Sequence, residues 1–342
     1  MTIHDAMRRQ LLKASVAGTA GITLGSSFIA RQAFAKDFPS RTINALIPFS
    51  PGGGTDRSVR VLTPAWEAAL GGSARFRPNN QPGAGTLIAQ NTLKNSRHDA
   101  HTLLFTPLPH TAWLSVLEPE TFQMDQIAWI GSYFQDPNVL LVAKDSPYKT
   151  AQDLIDDAKK TGKVLTASVS SPMSAAHAAT VVFRERAGIN LRVVPFSGGA
   201  EARNAVAGGH VDCCMAPYWS AINVLELTRA LCIFAPKDPS SGLWDAPPAN
   251  EVLKFEMPDL NEPYGVHMSK KASEDHPERQ KLLVDTFQQA MRSDEFKNAA
   301  QKQDLAFFSE AWGPDQCQKF CDDYLALLKQ YRPAMEADVK SM

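Results

Sequence analysis

The sequence predicts an α/β fold in more than one domain, and three observations carry that expectation. Short β-rich runs alternate with helical ones, the pattern of mostly parallel sheets covered by helices. At 342 residues, 44% of them apolar and 21% charged, the chain can bury a sizeable core and exceeds the usual size of one domain. Glycine- and serine-rich turns recur where a predicted strand gives way to a predicted helix, the place where open α/β sheets build their ligand sites.

The amino terminus reads Arg8-Arg9-Gln10-Leu11-Leu12-Lys13, then a weakly apolar run from Ala14 to Ala30, then Ala33-Phe34-Ala35, the order of an export signal. Paired arginines followed by Leu-Leu-Lys match the twin-arginine pattern, and Arg31 suits that route, so residues 1–35 are expected to be a cleaved signal. The alternative, an uncleaved anchor, has only 17 residues rich in Gly, Ala, Ser and Thr, against the ~20 apolar residues a span needs. Without the first 35 residues, 31 basic face 35 acidic side chains, a net of -4 that does not suggest a nucleic-acid binder.

Strands are predicted at Thr42 to Phe49, Thr102 to Thr106, Asn138 to Lys144, Val164 to Val169, Leu191 to Phe196 and Val211 to Met215, with helices between them. After Gly54, residues Val59, Leu62, Trp66 and Leu70 recur at helical spacing, with a kink expected at Pro64. The Pro-rich stretch from Pro236 to Pro248 reads as a surface loop, and Glu274 to Tyr331 as two or three amphipathic helices.

Five cysteines give no disulfide framework. Cys213 and Cys214 are adjacent on a predicted strand and point to opposite faces. Cys317 and Cys321 sit four apart on a predicted helix, where Cβ atoms lie ~5–6 Å apart against the ~3.5–4.5 Å of a relaxed bridge. Buried thiols acting as small apolar groups are expected. No histidine pairs with them at zinc spacing, so neither metal nor cofactor is expected.

Three junctions concentrate the chemistry. In the first, Phe49-Ser50-Pro51-Gly52-Gly53-Gly54-Thr55-Asp56, glycines bring free backbone N-H groups to a helix start, where dipole and amides hold an anion without a lysine. Neither the P-loop nor the dinucleotide spacing is present. The competing reading is a plain turn with Asp56 as a helix cap. In the second, Ser170-Ser171-Pro172-Met173-Ser174-Ala175-Ala176-His177, Ser171 fits the N-cap and Pro172 the first helical position, with Ser170, Ser171 and Ser174 offering hydroxyls. His177 either faces a cleft as donor or packs between helices. The third is Phe196-Ser197-Gly198-Gly199, with Gly208-Gly209 closing its helix.

These motifs, together with Asn80-Gln81-Pro82-Gly83-Ala84-Gly85 and Asp99-Ala100-His101-Thr102-Leu103-Leu104, in this order from Phe38 to Tyr331, resemble the tripartite tricarboxylate transporter receptor family, the Bug or TctC proteins. The resemblance implies a two-lobed, type II-like Venus flytrap with a ligand cleft between lobes. Lobe 1 would comprise 36–138 plus 262–342 and lobe 2 139–261. It implies a periplasmic solute-binding protein, not an enzyme and a monomer, that gives a small carboxylate to integral membrane transporter subunits. The ligand-binding residues would be Phe49, Ser50, Gly53, Gly54, Thr55, Asp56, Ser170, Ser171, Ser174, His177, Ser197, Gly198 and Gly199. This chain departs from the family at Phe196-Ser197, where a tyrosine and a lysine are frequent, and in Ala216-Pro217-Tyr218-Trp219. Exposed rings there would favour an aromatic acid over a di- or tricarboxylate; a core position for Trp219 is the competing reading. Two other functions use the same residues: a ligand-sensing co-receptor for a membrane sensor, and an exported serine hydrolase with His177 as base. The hydrolase lacks a Gly-x-Ser-x-Gly elbow and an orienting acid near Ser174 and His177 in sequence.

Overall fold

The computed structural model describes residues 38–72, 74–172, 174–239 and 246–341. The expected export signal lies outside these residues, as does the middle of the Pro236 to Pro248 loop. Contacts divide the chain into Met1–Arg41, of which a bend at Pro39 to Arg41 is described, and Thr42–Met342, which holds everything that follows.

Thr42–Met342 contains two five-stranded sheets. The first begins with β1 (Ile43–Ile47), α1 (Gly54–Ala69), β2 (Phe76–Asn80), α2 (Leu87–Lys94), β3 (Thr102–Pro107), α3 (Leu108–Leu117) and β4 (Ile127–Gln135). The chain then enters the second sheet through β5 (Asn138–Ala143), α4 (Ala151–Thr161), β6 (Leu165–Val169), α5 (Ala175–Ala187), β7 (Leu191–Pro195), α6 (Gly199–Ala207), β8 (Cys213–Pro217), α7 (Tyr218–Ala221), β9 (Thr228–Ile233) and α8 (Ala249–Val252). It returns with β10 (Pro263–Ser269) and ends in α9 (Lys270–Asp275), α10 (Pro277–Arg292), α11 (Asp294–Gln301) and α12 (Pro314–Ser341).

The strand orders are β2-β1-β3-β10-β4 and β7-β6-β8-β5-β9. In each, three strands joined by helices run parallel, while the two remaining strands pair antiparallel. The sheets are therefore mixed, where the alternation of elements predicted mostly parallel ones. The cause is the double crossing: β4 and β5 leave and enter with almost no connection, so neither can be wound in by a crossover helix.

Period-two alternation places helices on both faces of the first sheet. On β3, Phe105 meets Trp66 of α1 edge to face at 6.3 Å, while neighbouring Leu104 packs with Ala89 and Leu93 of α2. Trp66 also donates its indole N-H to Thr286 at 3.0 Å, tying α1 to α10. Pro64 is accommodated inside an uninterrupted α1. In the second sheet, Ser168 donates to the Ala202 carbonyl at 2.8 Å, fixing α6, while Val169 joins the apolar cluster that includes Val181 and Phe183 of α5. The five cysteines are free and buried, and burial pushes Cys214 up to about 11 and Cys232 to about 12, which keeps these thiols protonated and inert.

Helix α12 packs on α3 and β4 of the first sheet and on α5 of the second. Its end is held by charge: Asp338 accepts from Arg184 Nη1 at 2.8 and 3.0 Å and lies 3.0 Å from His177 Nε2. Arg186 donates to the Tyr331 hydroxyl at 2.9 Å. Burial raises the Asp338 pKa, but the bonds from His177 and Arg184 outweigh it and leave the carboxyl below its ordinary range. A depressed carboxylate contributes stability that is complete above its unfolded pKa of about 3.9 and lost as pH falls through the lower folded value. Asp338→Ala is therefore predicted to cost roughly 1–3 kcal/mol near neutral pH, because buried His177 and half-buried Arg184 lose their acceptor. Urea unfolding of the two proteins from pH 7 to 3 checks this; the difference should shrink at the acid end.

Candidate functional site

Parallel strands deliver their carboxyl ends to one edge of a sheet, so the loops after β1, β2 and β3 gather on the first sheet and those after β6, β7 and β8 on the second. The three junctions singled out in the sequence occupy three of these loops, those after β1, β6 and β7, and lead into α1, α5 and α6.

In the first junction, Gly53 is the N-cap of α1, and no side chain caps that helix. The turn is closed by Gly53 N-H to the Ser50 carbonyl at 3.3 Å. Thr55 is buried, and its carbonyl accepts from Ser58 at 2.9 Å. Phe49 stands edge-on to His110 at 5.4 Å, and its carbonyl accepts from Asn80 at 2.9 Å. Asp56 is committed within the turn: it accepts from Gly52 N-H at 2.9 Å, Arg60 Nε at 3.0 Å and Asn80 at 3.2 Å. Burial works to raise its pKa, but these bonds bring it below the ordinary carboxylate value. Its carboxylate thus braces the loop after β1 against the loop after β2.

The second junction corrects the expected cap. Helix α5 starts at Ala175 with Ser174 as N-cap, accepting from His177 N-H at 3.1 Å, and Pro172 precedes the helix. Ser174 also donates to the Ser171 carbonyl at 2.9 Å, so both of its hydrogen-bonding roles are used locally. That pairing starts the helix three residues later than a cap at Ser171 would. Ser170 and Ser171 remain partly exposed. His177 is fully buried and turns its ring to Asp338, which supplies an acid partner 161 residues away, while Ser174 faces the helix backbone. The imidazole packs between helices, as one of its two readings had it.

In the third junction Gly198 is the N-cap of α6, again without a side-chain cap, while exposed Ser197 donates its N-H to Glu201 at 3.2 Å. A Cβ on Gly199 would stand 3.8 Å from Ser170 Cβ, so the second and third junctions are neighbours.

The two sheets meet at the first junction. A Cβ on Gly54 would stand 2.9 Å from Ser220 Oγ, 3.5 Å from the Tyr264 hydroxyl and 3.7 Å from the Trp219 ring, so only glycine admits this approach without displacement. Trp219 is buried, donates its indole N-H to the Gln303 carbonyl at 2.9 Å, meets Phe134 edge-on and carries the Arg57 guanidinium 4.2 Å over its ring. Tyr218 is buried as well. These rings are packed rather than displayed. Asp136, at the crossing from β4 to β5, accepts Trp219 N-H at 2.7 Å; burial, aided by nearby Glu262, holds its carboxyl well above the ordinary range despite that bond.

Sequence reading passed over Arg57, Asp136, Arg203, Ser220 and Tyr264. Arg203 alone left a signal, since a side chain four residues beyond Gly199 leans back over the third junction.

A pair of mixed sheets, each presenting three strand ends to the other, is the architecture of a two-lobed solute-binding protein. The chain belongs to the tripartite tricarboxylate transporter family receptors, whose family model matches residues 77–330. These are periplasmic solute receptors rather than enzymes. The chain is 29% identical to a UPF0065 protein of Bordetella pertussis over 209 residues, 58% of this chain and 61% of that one. It resembles in fold MatC of Rhodopseudomonas palustris with bound malate, at TM-score 0.69 and 21% identity over 87% of this chain and 100% of that one. It also resembles R. palustris Rpa4515 with adipate, at TM-score 0.71 and 19% identity over 88% and 99%.

Asp56→Ala is predicted to destabilise the protein by about 1–2 kcal/mol, the exposed Arg60 partner adding little to what Gly52 N-H and Asn80 lose. Denaturant midpoints check this, and because the folded pKa is depressed the difference should fade as pH drops below about 4.

Proposed function

We propose that the chain is a periplasmic binding protein that captures a small carboxylate between its two lobes and delivers it to an integral membrane transporter. The observation that carries this is the state of two helix starts. Helices α1 and α6 open at the facing strand ends with glycine N-caps and no side-chain cap. Thr150, by contrast, caps α4 with a reciprocal capping box, while α2, α3 and α10 also open without a side-chain cap. An uncapped helix start has N-H groups and a positive dipole end available to an anion. Residues 139–261 would form the lobe that moves against 36–138 and 262–342, with Ser50 to Thr55, Ser170, Ser171 and Ser197 to Gly199 contacting the ligand in the closed form.

An aliphatic di- or tricarboxylate suits the cleft better than an aromatic acid, because Arg57 already covers Trp219 and its edge meets Phe134. Malate and adipate in the two structural relatives are of that class. Export by the twin-arginine route and a monomeric state belong to the same reading.

A thermal-shift screen of the mature protein against aliphatic diacids, aromatic acids, amino acids and neutral sugars is predicted to show stabilisation by diacids, lost on amidation of the carboxylates. Stabilisation by a neutral sugar alone would sink the reading. Gly54→Val is predicted to weaken binding at least tenfold, about 1.4 kcal/mol, by wedging against Ser220 and Trp219 in the closed form. Calorimetric titration with the best diacid measures that loss.

A further inference from the structure

Two guanidinium groups, the half-buried Arg203 and the exposed Arg57, have no ion-pair partner among the described residues. Arg203 leans toward the start of α6: its Nη1 would lie 2.8 Å from a Cβ on Gly199. That end of the helix carries the positive end of the dipole, so the cation sits where the helix field disfavours it. Its Nε is buried without a hydrogen-bond partner. Arg57, from the first turn of α1 on the other side, lies 4.2 Å over the Trp219 ring. Burial, with the charge of Arg57 adding to it, lowers the pKa of Arg203 from its ordinary value.

Asp136 interacts favourably with Arg203 through space, but no nearby acid forms an ion pair with either guanidinium. Asp136 is held above its ordinary range and binds the Trp219 N-H. Glu262 lies 3.2 Å from His110, and Glu201 accepts from Ser197 N-H. Among the described residues neither Arg57 nor Arg203 has an ion-pair partner. Keeping a half-buried cation unpaired beside a second cation and a helix start costs stability that packing does not return, which is the mark of a group kept for a ligand.

We propose that Arg203 and Arg57, one from each lobe, form an anion subsite that grips a second acidic group of the ligand and sets a preference for dianionic over monoanionic acids. The first acidic group needs no cation, because the uncapped α1 start serves it. The second meets the unpartnered buried Nε of Arg203 and the exposed guanidinium of Arg57, and because they come from opposite lobes its binding favours closure. This rests on the carboxylate-binding reading above.

The test is calorimetric titration of wild type, Arg203→Met and Arg57→Gln at low salt with succinate, malate and adipate, with the monoamide of each, and with inorganic sulfate. Wild type should bind a diacid at least about tenfold more tightly than its monoamide, and Arg203→Met should lose about tenfold or more for the diacid but little for the monoamide. Arg57→Gln should show the same pattern more weakly. Without ligand, Arg203→Met should melt at or above the wild-type temperature, because an uncompensated cation has gone; a structural strut would show the opposite. Equal diacid affinity in wild type and Arg203→Met, or a uniform loss for every ligand with a lowered melting temperature, overturns the subsite and leaves the carboxylate reading standing. Should wild type bind no carboxylate, sulfate binding that depends on Arg203 keeps the subsite and sinks the carboxylate reading, and no sulfate binding sinks both.

Discussion

Everything at the cleft depends on how the chain crosses between its sheets. The outward crossing at Asp136-Pro137 and the return at Asn261-Glu262 run antiparallel and pair as a miniature ladder. Asp136 N-H donates to Glu262 O at 3.3 Å, Glu262 N-H to Asp136 O at 3.1 Å, and Asn138 N-H to Leu260 O at 3.3 Å. Side chains reinforce it, with Asn138 Nδ2 donating to the Leu260 carbonyl at 2.8 Å and Asn261 to Gln135 at 2.8 Å. Two paired strands bend together but resist shear, since sliding would break every rung at once. The Asp136 side chain then reaches from this ladder to the α7 backbone, so the position of Trp219 and Ser220 against Gly54 is set by the crossing itself.

The elements legible in the sequence are those whose signals are local. Glycine turns after apolar runs mark β1, β6 and β7, and helical spacing marks α1, because each needs only neighbours within one turn to be recognised. Strands β4 and β10 give no such signal: every residue of both is buried, so no alternation distinguishes them, and their antiparallel return is fixed by contacts more than 120 residues apart. The same distance limit explains the site. Asp56 is readable as a local brace, but whether His177 faces cleft or helix is decided by Asp338 at the far end of the chain. Three serines in five residues compete for one cap, and only the geometry of the loop selects Ser174 over Ser171.

The polar inventory of the cleft is divided by a physical rule. Groups whose hydrogen bonds are already filled, Asp56 and Ser174 mainly within their own turns and the Asp136 carboxyl across to Trp219, hold the loops in place and are spent before a ligand arrives. The buried Nε of Arg203 is left without a partner, while the α1 and α6 starts lack a side-chain cap and each carries an acid, Asp56 and Glu201, in its first turn. In the closed form proposed above, desolvating the Arg203 cation without an ion-pair partner would be unfavourable, so an anion entering there would favour contact between the lobes.

Helix α12 limits what that separation can be. It packs on α3 and β4 and also on α5, where Asp338 joins His177 and Arg184, so it is a third link between the layers besides the two crossings. A hinge that pulled α5 away from the first sheet would break the bonds of the half-buried Asp338 carboxylate to His177 and Arg184, at a cost of about 1–3 kcal/mol. In the lobe motion proposed above, rotation about an axis near α12 and the Asp136–Glu262 ladder would keep both intact while opening the edge where Gly54 meets Ser220. The fold thus places the α12 contacts and the crossing ladder apart from the edge where Gly54 approaches Ser220 and Arg57 stacks on Trp219.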